Sequence, residues 1–231
     1  MKRLAAFANY RKNAMHLSLA KEHRDFFKKH SQIEFSALLS PAQVCDFANA
    51  VDEVVLKQQN EKNSFRDLGR DLWRDHPAIK KTTLKKDFAE IVAGLTGLHE
   101  IRIGYDQSID TAKEPVLSTG MTSLQQTSCI KPIIMGLLIR LSEGSQPDSG
   151  MLPCPCPSSP GDGVFFSSQL LVSWDPLLAL KNQRFFLIAY AGAHPIYILE
   201  KRDPCTHALK QHGYVFGDAL KTDTHPVLFT E

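Results

Sequence analysis

The spacing of apolar residues changes near residue 100, and that change limits the fold more than any other feature of the chain. Before it, Val44, Phe47, Ala48, Val51 and Val55 recur at helical spacing, and so do Phe88, Ile91, Val92 and Leu95. Ser40-Pro41-Ala42-Gln43 supplies a cap, a proline at the first helical position and a glutamine that can reach back to the cap. Helices are therefore expected over 41–59 and 86–96, the second ending at Gly97. After residue 100, Ile101, Ile103, Tyr105 and Gln107 alternate with Arg102, Gly104 and Asp106, which is the period of a strand.

Further short apolar runs at 133–141, 163–166 and 184–191 are separated by clusters of Gly, Pro and Ser. Strands this short and this frequent suit a sandwich or jelly roll rather than an alternating βα fold. The stretch 145–162 holds five prolines and reads as irregular. The expected class is α+β: one domain over 1–231, with a mainly helical part over 1–99 and a β core and tail over 100–231.

Charge is divided unevenly. Residues 1–86 carry +7 and residues 87–231 carry −5, within a formal total of +2. A basic N-terminal part can meet nucleic acid or an acidic partner, but solvated helix faces are the simpler and preferred explanation. Arg66, Arg70 and Arg74, interleaved with Asp67, Asp71 and Asp75, read as charged pairs along an exposed helix. Cys45, Cys129, Cys154, Cys156 and Cys205 are odd in number and scattered, which points to a reducing, cytoplasmic setting. No apolar run reaches spanning length, so no membrane is expected.

Four stretches resemble the phytanoyl-CoA dioxygenase-like family of Fe(II)/2-oxoglutarate-dependent oxygenases. They are 26–56 with Leu39-Ser40-Pro41, 72–109 with Leu72-Trp73-Arg74-Asp75-His76-Pro77 and Arg102-Ile103-Gly104-Tyr105-Asp106-Gln107, Lys113-Glu114-Pro115, and the tail from Arg184. That tail includes Tyr190, His212-Gly213-Tyr214, Gly217-Asp218-Ala219-Leu220 and His225-Pro226. The resemblance covers about two thirds of the chain in family order and implies a double-stranded β-helix (jelly-roll) core with the N-terminal helices packed on it.

That family needs two histidines and a carboxylate on one face of the iron, leaving positions open for 2-oxoglutarate and oxygen. The resemblance places the first two ligands at Gln125 and Thr127. It places the third at Ser173, eleven residues before Arg184, which stands where the family has its cosubstrate-binding arginine. No histidine lies between His99 and His194. Amide and hydroxyl oxygens hold Fe(II) far more weakly than imidazole and carboxylate, so the iron site reads as lost and no metal is expected.

Arg184 shares a strand face with Phe186, Ile188 and Tyr190. Pointed into the barrel it would be a buried cation in need of a carboxylate, from a ligand or from Asp/Glu, with Lys113 assisting as the resemblance implies. The expected function is a non-catalytic oxygenase-fold protein that binds a small anion, such as 2-oxoglutarate or a similar dicarboxylate, or a protein partner. An active hydroxylase with reassigned ligands (Asp106, Asp110, Cys129, Asp175) and a nucleic-acid regulator are the alternatives, although no DNA-reading motif is present. Cys154-Pro155-Cys156 is a weak candidate for a soft metal with Cys129 or Cys205, or for a redox pair. His207 and His212, five apart, fall on different faces of any helix.

Overall fold

A computed structural model of the chain describes residues 19–61, 69–112, 120–146 and 154–231. Helix α1 (Lys21–His30) leads into strand β1 (Gln32–Phe35) and then helix α2 (Pro41–Glu61). The cap of α2 forms as its sequence dictates: Ser40 Oγ accepts the Gln43 amide at 3.3 Å, and Gln43 Oε1 accepts the Ser40 amide at 2.9 Å. A short 3-10 turn (Leu72–Arg74) precedes α3 (Pro77–Thr83) and α4 (Lys86–Thr96). Gly97 closes α4 in the left-handed conformation (φ 74°), which glycine adopts without steric cost.

Strand β2 (Glu100–Asp110) opens the β region. It is followed by β3 (Met121–Thr122), the one-turn helix α5 (Leu124–Thr127), β4 (Ile130–Arg140), β5 (Gly163–Ser167) and β6 (Val172–Ser173). The one-turn α6 (Asp175–Leu178), the long β7 (Arg184–Tyr197) and β8 (Val227–Thr230) complete the chain. Six strands form one antiparallel sheet in the order β1-β5-β4-β7-β2-β8, and β3 and β6 form a small second sheet. The result is a mixed helix-and-strand structure with a curled antiparallel sheet.

The large sheet has two apolar faces. Ile33, Phe35, Leu137, Ile139, Phe186, Ile188 and Tyr190 pack with Phe47 and Val51 of α2 and with Phe88, Ile91 and Val92 of α4. Leu138, Phe166, Phe185, Leu187 and Ala189 face the other way, toward Leu124, Val172 and Leu177 beside the small sheet. The helices thus back the sheet, and the barrel interior lies on its opposite side.

One expectation fails inside β2. Ile101 and Ile103 pack with the helices, but a bulge between Ile103 and Tyr105 reverses the alternation. Tyr105 therefore joins the barrel cluster, while Asp106 turns toward the 3-10 turn and α3. Strict alternation cannot reveal an inserted residue, since a one-residue slip exchanges the two faces.

Candidate functional site

The small sheet and the turn after it hold the three positions matched to iron ligands. β3 pairs with β6 so that Met121 lies opposite Ser173, which is buried, and Thr122 lies opposite Val172. The chain then turns at once into α5. Ser123 Oγ accepts the Gln126 amide at 3.3 Å, and Gln126 Oε1 accepts the Ser123 amide at 3.2 Å. Thr127 Oγ1 donates to the Ser123 carbonyl at 3.1 Å, and the Gln125 amide donates to the Ser168 carbonyl at 3.0 Å. Gln125, Thr127 and Ser173 are thus carried by adjoining elements, and the Thr127 hydroxyl is committed to closing the turn.

Apolar side chains occupy the interior beside these positions. Gly136 has no side chain, and a Cβ there would come within 2.4 Å of the Phe166 ring and 2.7 Å of Leu124. Phe166 also meets Trp174 edge-on, with ring centroids 6.2 Å apart. Leu124, Leu138, Phe166, Val172, Leu177, Phe185 and Leu187 are all buried together.

Arg184 does not enter the barrel. Its strand face is the helix-covered one, where Phe186 meets Phe47 of α2 at 4.8 Å between centroids. Of the partners open to Arg184, the structure supplies an acidic side chain: Nη1 donates to Asp52 of α2. The pair is half-exposed, so the guanidinium is not desolvated as an inward one would be. Lys113 lies outside the described residues.

A buried polar network on the barrel side of β2 escaped the sequence reading. Arg70 lies antiparallel to Gln107, stacks over the Tyr105 ring at 3.7 Å and pairs with Asp203 at 2.9 Å. Asp203 also accepts the amides of Cys129 (2.8 Å) and Cys205 (2.9 Å), which ties the start of β4 to the loop after β7. Burial is the largest single influence and works against the Arg70 charge, but Asp203 together with Cys205, Tyr105 and Asp71 outweighs it and holds the guanidinium well above its ordinary pKa. Burial also pushes the Tyr105 hydroxyl up to about 12 and the Cys129 thiol far upward, so neither is a ready nucleophile.

The arginine row expected on an exposed helix is corrected here. Residues 62–68, which include Arg66 and Asp67, lie outside the described residues. Arg70 and Asp71 run beside β2 as an extra edge, and Arg74 ends the 3-10 turn. Arg74 donates to the Thr224 carbonyl at 2.7 Å and to His225 Nε2 at 3.2 Å. Charge alternation misled the reading because each of these arginines serves a different distant partner.

The donors considered for a reassigned metal site are dispersed. Asp106 accepts the amides of Leu72 and Trp73, Cys129 belongs to the Asp203 cluster, and Asp110 caps the Ala112 amide. The sequence's His-x-Asp triplet, His23-Arg24-Asp25, lies on α1, where His23 Nδ1 accepts the Ala20 amide at 3.2 Å. Among the described residues no three His, Cys, Asp or Glu side chains are grouped to hold a metal. Cys129, Cys156 and Cys205 are buried, and burial beside Cys156 raises the Cys154 thiol to about 12. Among the described residues no helix is long and apolar enough to cross a membrane.

Comparison with known proteins places the architecture. No family model and no curated protein matches the chain. Solved structures do. The non-heme alpha ketoglutarate dependent carbocyclase SnoK from nogalamycin biosynthesis superposes with a TM-score of 0.65 at 16% identity, over 90% of this chain and 96% of that one. The epimerase SnoN, in complex with Fe3+, alpha ketoglutarate and nogalamycin RO, gives 0.66 at 12% identity over 89% and 96%. CytC3 with Fe(II) and alpha-ketoglutarate gives 0.57 at 11% over 78% and 80%. The chain has the 2-oxoglutarate oxygenase fold.

At such identities the likeness is one of fold, and a fold hosts many functions. Iron in this fold calls for charged, basic donors, and the three positions that the resemblance matches to its ligands carry none. Gln125, Thr127 and Ser173 offer only neutral oxygens, and the Thr127 hydroxyl already closes a turn.

Proposed function

We propose that this chain is a non-catalytic protein of the oxygenase fold, which acts by binding a small anionic ligand or a protein partner. The observation that carries this reading is the donor set at Gln125, Thr127 and Ser173. Three neutral side chains leave the charge of Fe(II) uncompensated, and an apolar wall of Leu124 and Phe166 adjoins them.

The test is anaerobic addition of Fe(II) and 2-oxoglutarate to the purified protein. Neither stoichiometric metal retention nor the charge-transfer band of a chelated cosubstrate is expected. Appearance of both, with loss of both on replacing Gln125 and Thr127 by alanine, overturns the proposal in favour of an active hydroxylase.

A further inference from the structure

The barrel side of β4 ends on Arg140, the largest of the fully buried side chains, placed opposite Phe185 with the guanidinium 5.9 Å from its ring. Among the described residues its nitrogens meet neutral acceptors. Nε donates to the Ser142 carbonyl at 2.9 Å, and Nη1 to the carbonyls of Pro157 and Ser158, both at 3.3 Å. Nη2 donates to the Ser145 carbonyl at 3.0 Å and to Gln183 Oε1 at 2.6 Å. A guanidinium removed from water is expensive unless an opposite charge compensates it, and dipoles alone do so only in part. The acceptors come from three parts of the chain, 142–145, 157–158 and the buried Gln183, and both Nη1 contacts are at the long end of hydrogen-bond range.

We infer that Arg140 is a binding site for a small carboxylate, held in waiting by these main-chain carbonyls. A planar carboxylate takes two parallel guanidinium N–H bonds, and each is about twice as strong as a bond to a neutral oxygen. Such an anion replaces the Pro157 and Ser158 carbonyls on Nη1 and one acceptor on Nη2, and neutralises the buried charge. Gln183 is the competitor fixed most firmly, since its own Nε2 donates to the Ser145 carbonyl at 2.9 Å. The inference rests on the binding reading above. It moves the anion from Arg184, which Asp52 already neutralises, to a cation inside the fold.

Thermal unfolding of the full chain with sodium succinate, against neutral succinamide at matched ionic strength, tests it. Saturating succinate is expected to raise Tm by about 5 °C, and succinamide to leave it unchanged. The shift persists in Arg184→Ala and is lost in Arg140→Lys, which keeps the charge but not the bidentate fork. Should Arg140→Lys fail to fold, Gln183→Met removes a competing acceptor and tightens the succinate Kd severalfold. No shift in the wild type, an equal shift with succinamide, loss of the shift in Arg184→Ala, or a Gln183→Met Kd no tighter than wild type overturns the site. The iron test is independent of all these outcomes, so failure here leaves the non-catalytic reading standing in its protein-partner form.

Discussion

Arg184 of β7 pairs with Asp52 of α2 on the helix-covered side of the sheet, at the rim and not in the barrel. Exposed pairs gain little, because water and salt screen them and two long side chains must be held still. Replacing Arg184 by alanine is therefore expected to cost less than about 1 kcal/mol in urea unfolding, with the loss shrinking at high salt. A loss several times larger, insensitive to salt, would mean the arginine is desolvated and this placement is wrong.

The Arg70–Asp203 pair is the opposite case. Its side chains are 9% and 0% exposed, and Asp203 also accepts the amides of Cys129 and Cys205. Removing one partner leaves a buried charge alone, at a cost of about 3–5 kcal/mol. Asp203→Ala is expected to exceed Arg70→Met, since it strands two amides as well as the guanidinium. Chemical denaturation of both variants checks the order, and the reverse order would show that the Arg70 stack on Tyr105 outweighs the loop amides.

Tyr190 carries a hydroxyl in the core between sheet and helices, fully buried and with no hydrogen-bond partner among the described residues. Burial alone drives its pKa far upward. An unsatisfied buried hydroxyl costs free energy that a ring without it does not. Tyr190→Phe is thus expected to stabilise the protein by about 1 kcal/mol, read as a rise in Tm. A fall of similar size would refute the assignment of the hydroxyl as unpartnered.

Much of the frame was legible in the chain because local signals and burial agreed. The Ser40–Gln43 cap, the stripe of α2, the Gly97 stop and the strand runs each became the element expected. What could not be read depends on register and on distant pairing. The bulge between Ile103 and Tyr105 sends two residues of one apparent stripe to opposite faces. Asp203 lies 133 positions from Arg70, and His225 lies 151 from Arg74, so neither pairing leaves a local trace. Arg140 drew no notice at the end of an apolar run, because its acceptors are main-chain carbonyls that carry no residue signature. A His-x-Asp triplet does occur, at His23-Arg24-Asp25, but it lies on α1 and not at the positions that the resemblance matches to iron ligands.

Two buried groups give the fold a pH dependence whose sign follows from their shifts. Asp106 is pushed from 3.8 up to about 8 by burial and by neighbouring Asp71, against the pull of the Leu72 and Trp73 amides and the Thr83 hydroxyl. His225 is lowered from 6.5 to about 3 by burial and by Arg74, which donates to its Nε2. Asp106 holds its proton in the folded state, so its contribution is full below pH 3.8 and is lost as pH rises through about 8. His225 is neutral in the folded state, so its contribution is full above pH 6.5 and is lost as pH falls toward 3. Between pH 3.8 and 6.5 the two slopes oppose each other and these groups leave stability nearly flat. From pH 6.5 to 8, of these two groups only Asp106 changes the balance, and its share of stability should fall by about 2 kcal/mol. Asp106→Asn sacrifices one acceptor at the 3-10 turn and is less stable at every pH, but it has nothing left to ionise. Urea unfolding of both proteins at several pH values separates the effects: the wild type should decline between pH 6.5 and 8 and the asparagine variant should not. Parallel curves would show that the three donors around Asp106 outweigh its burial and keep it ionised throughout.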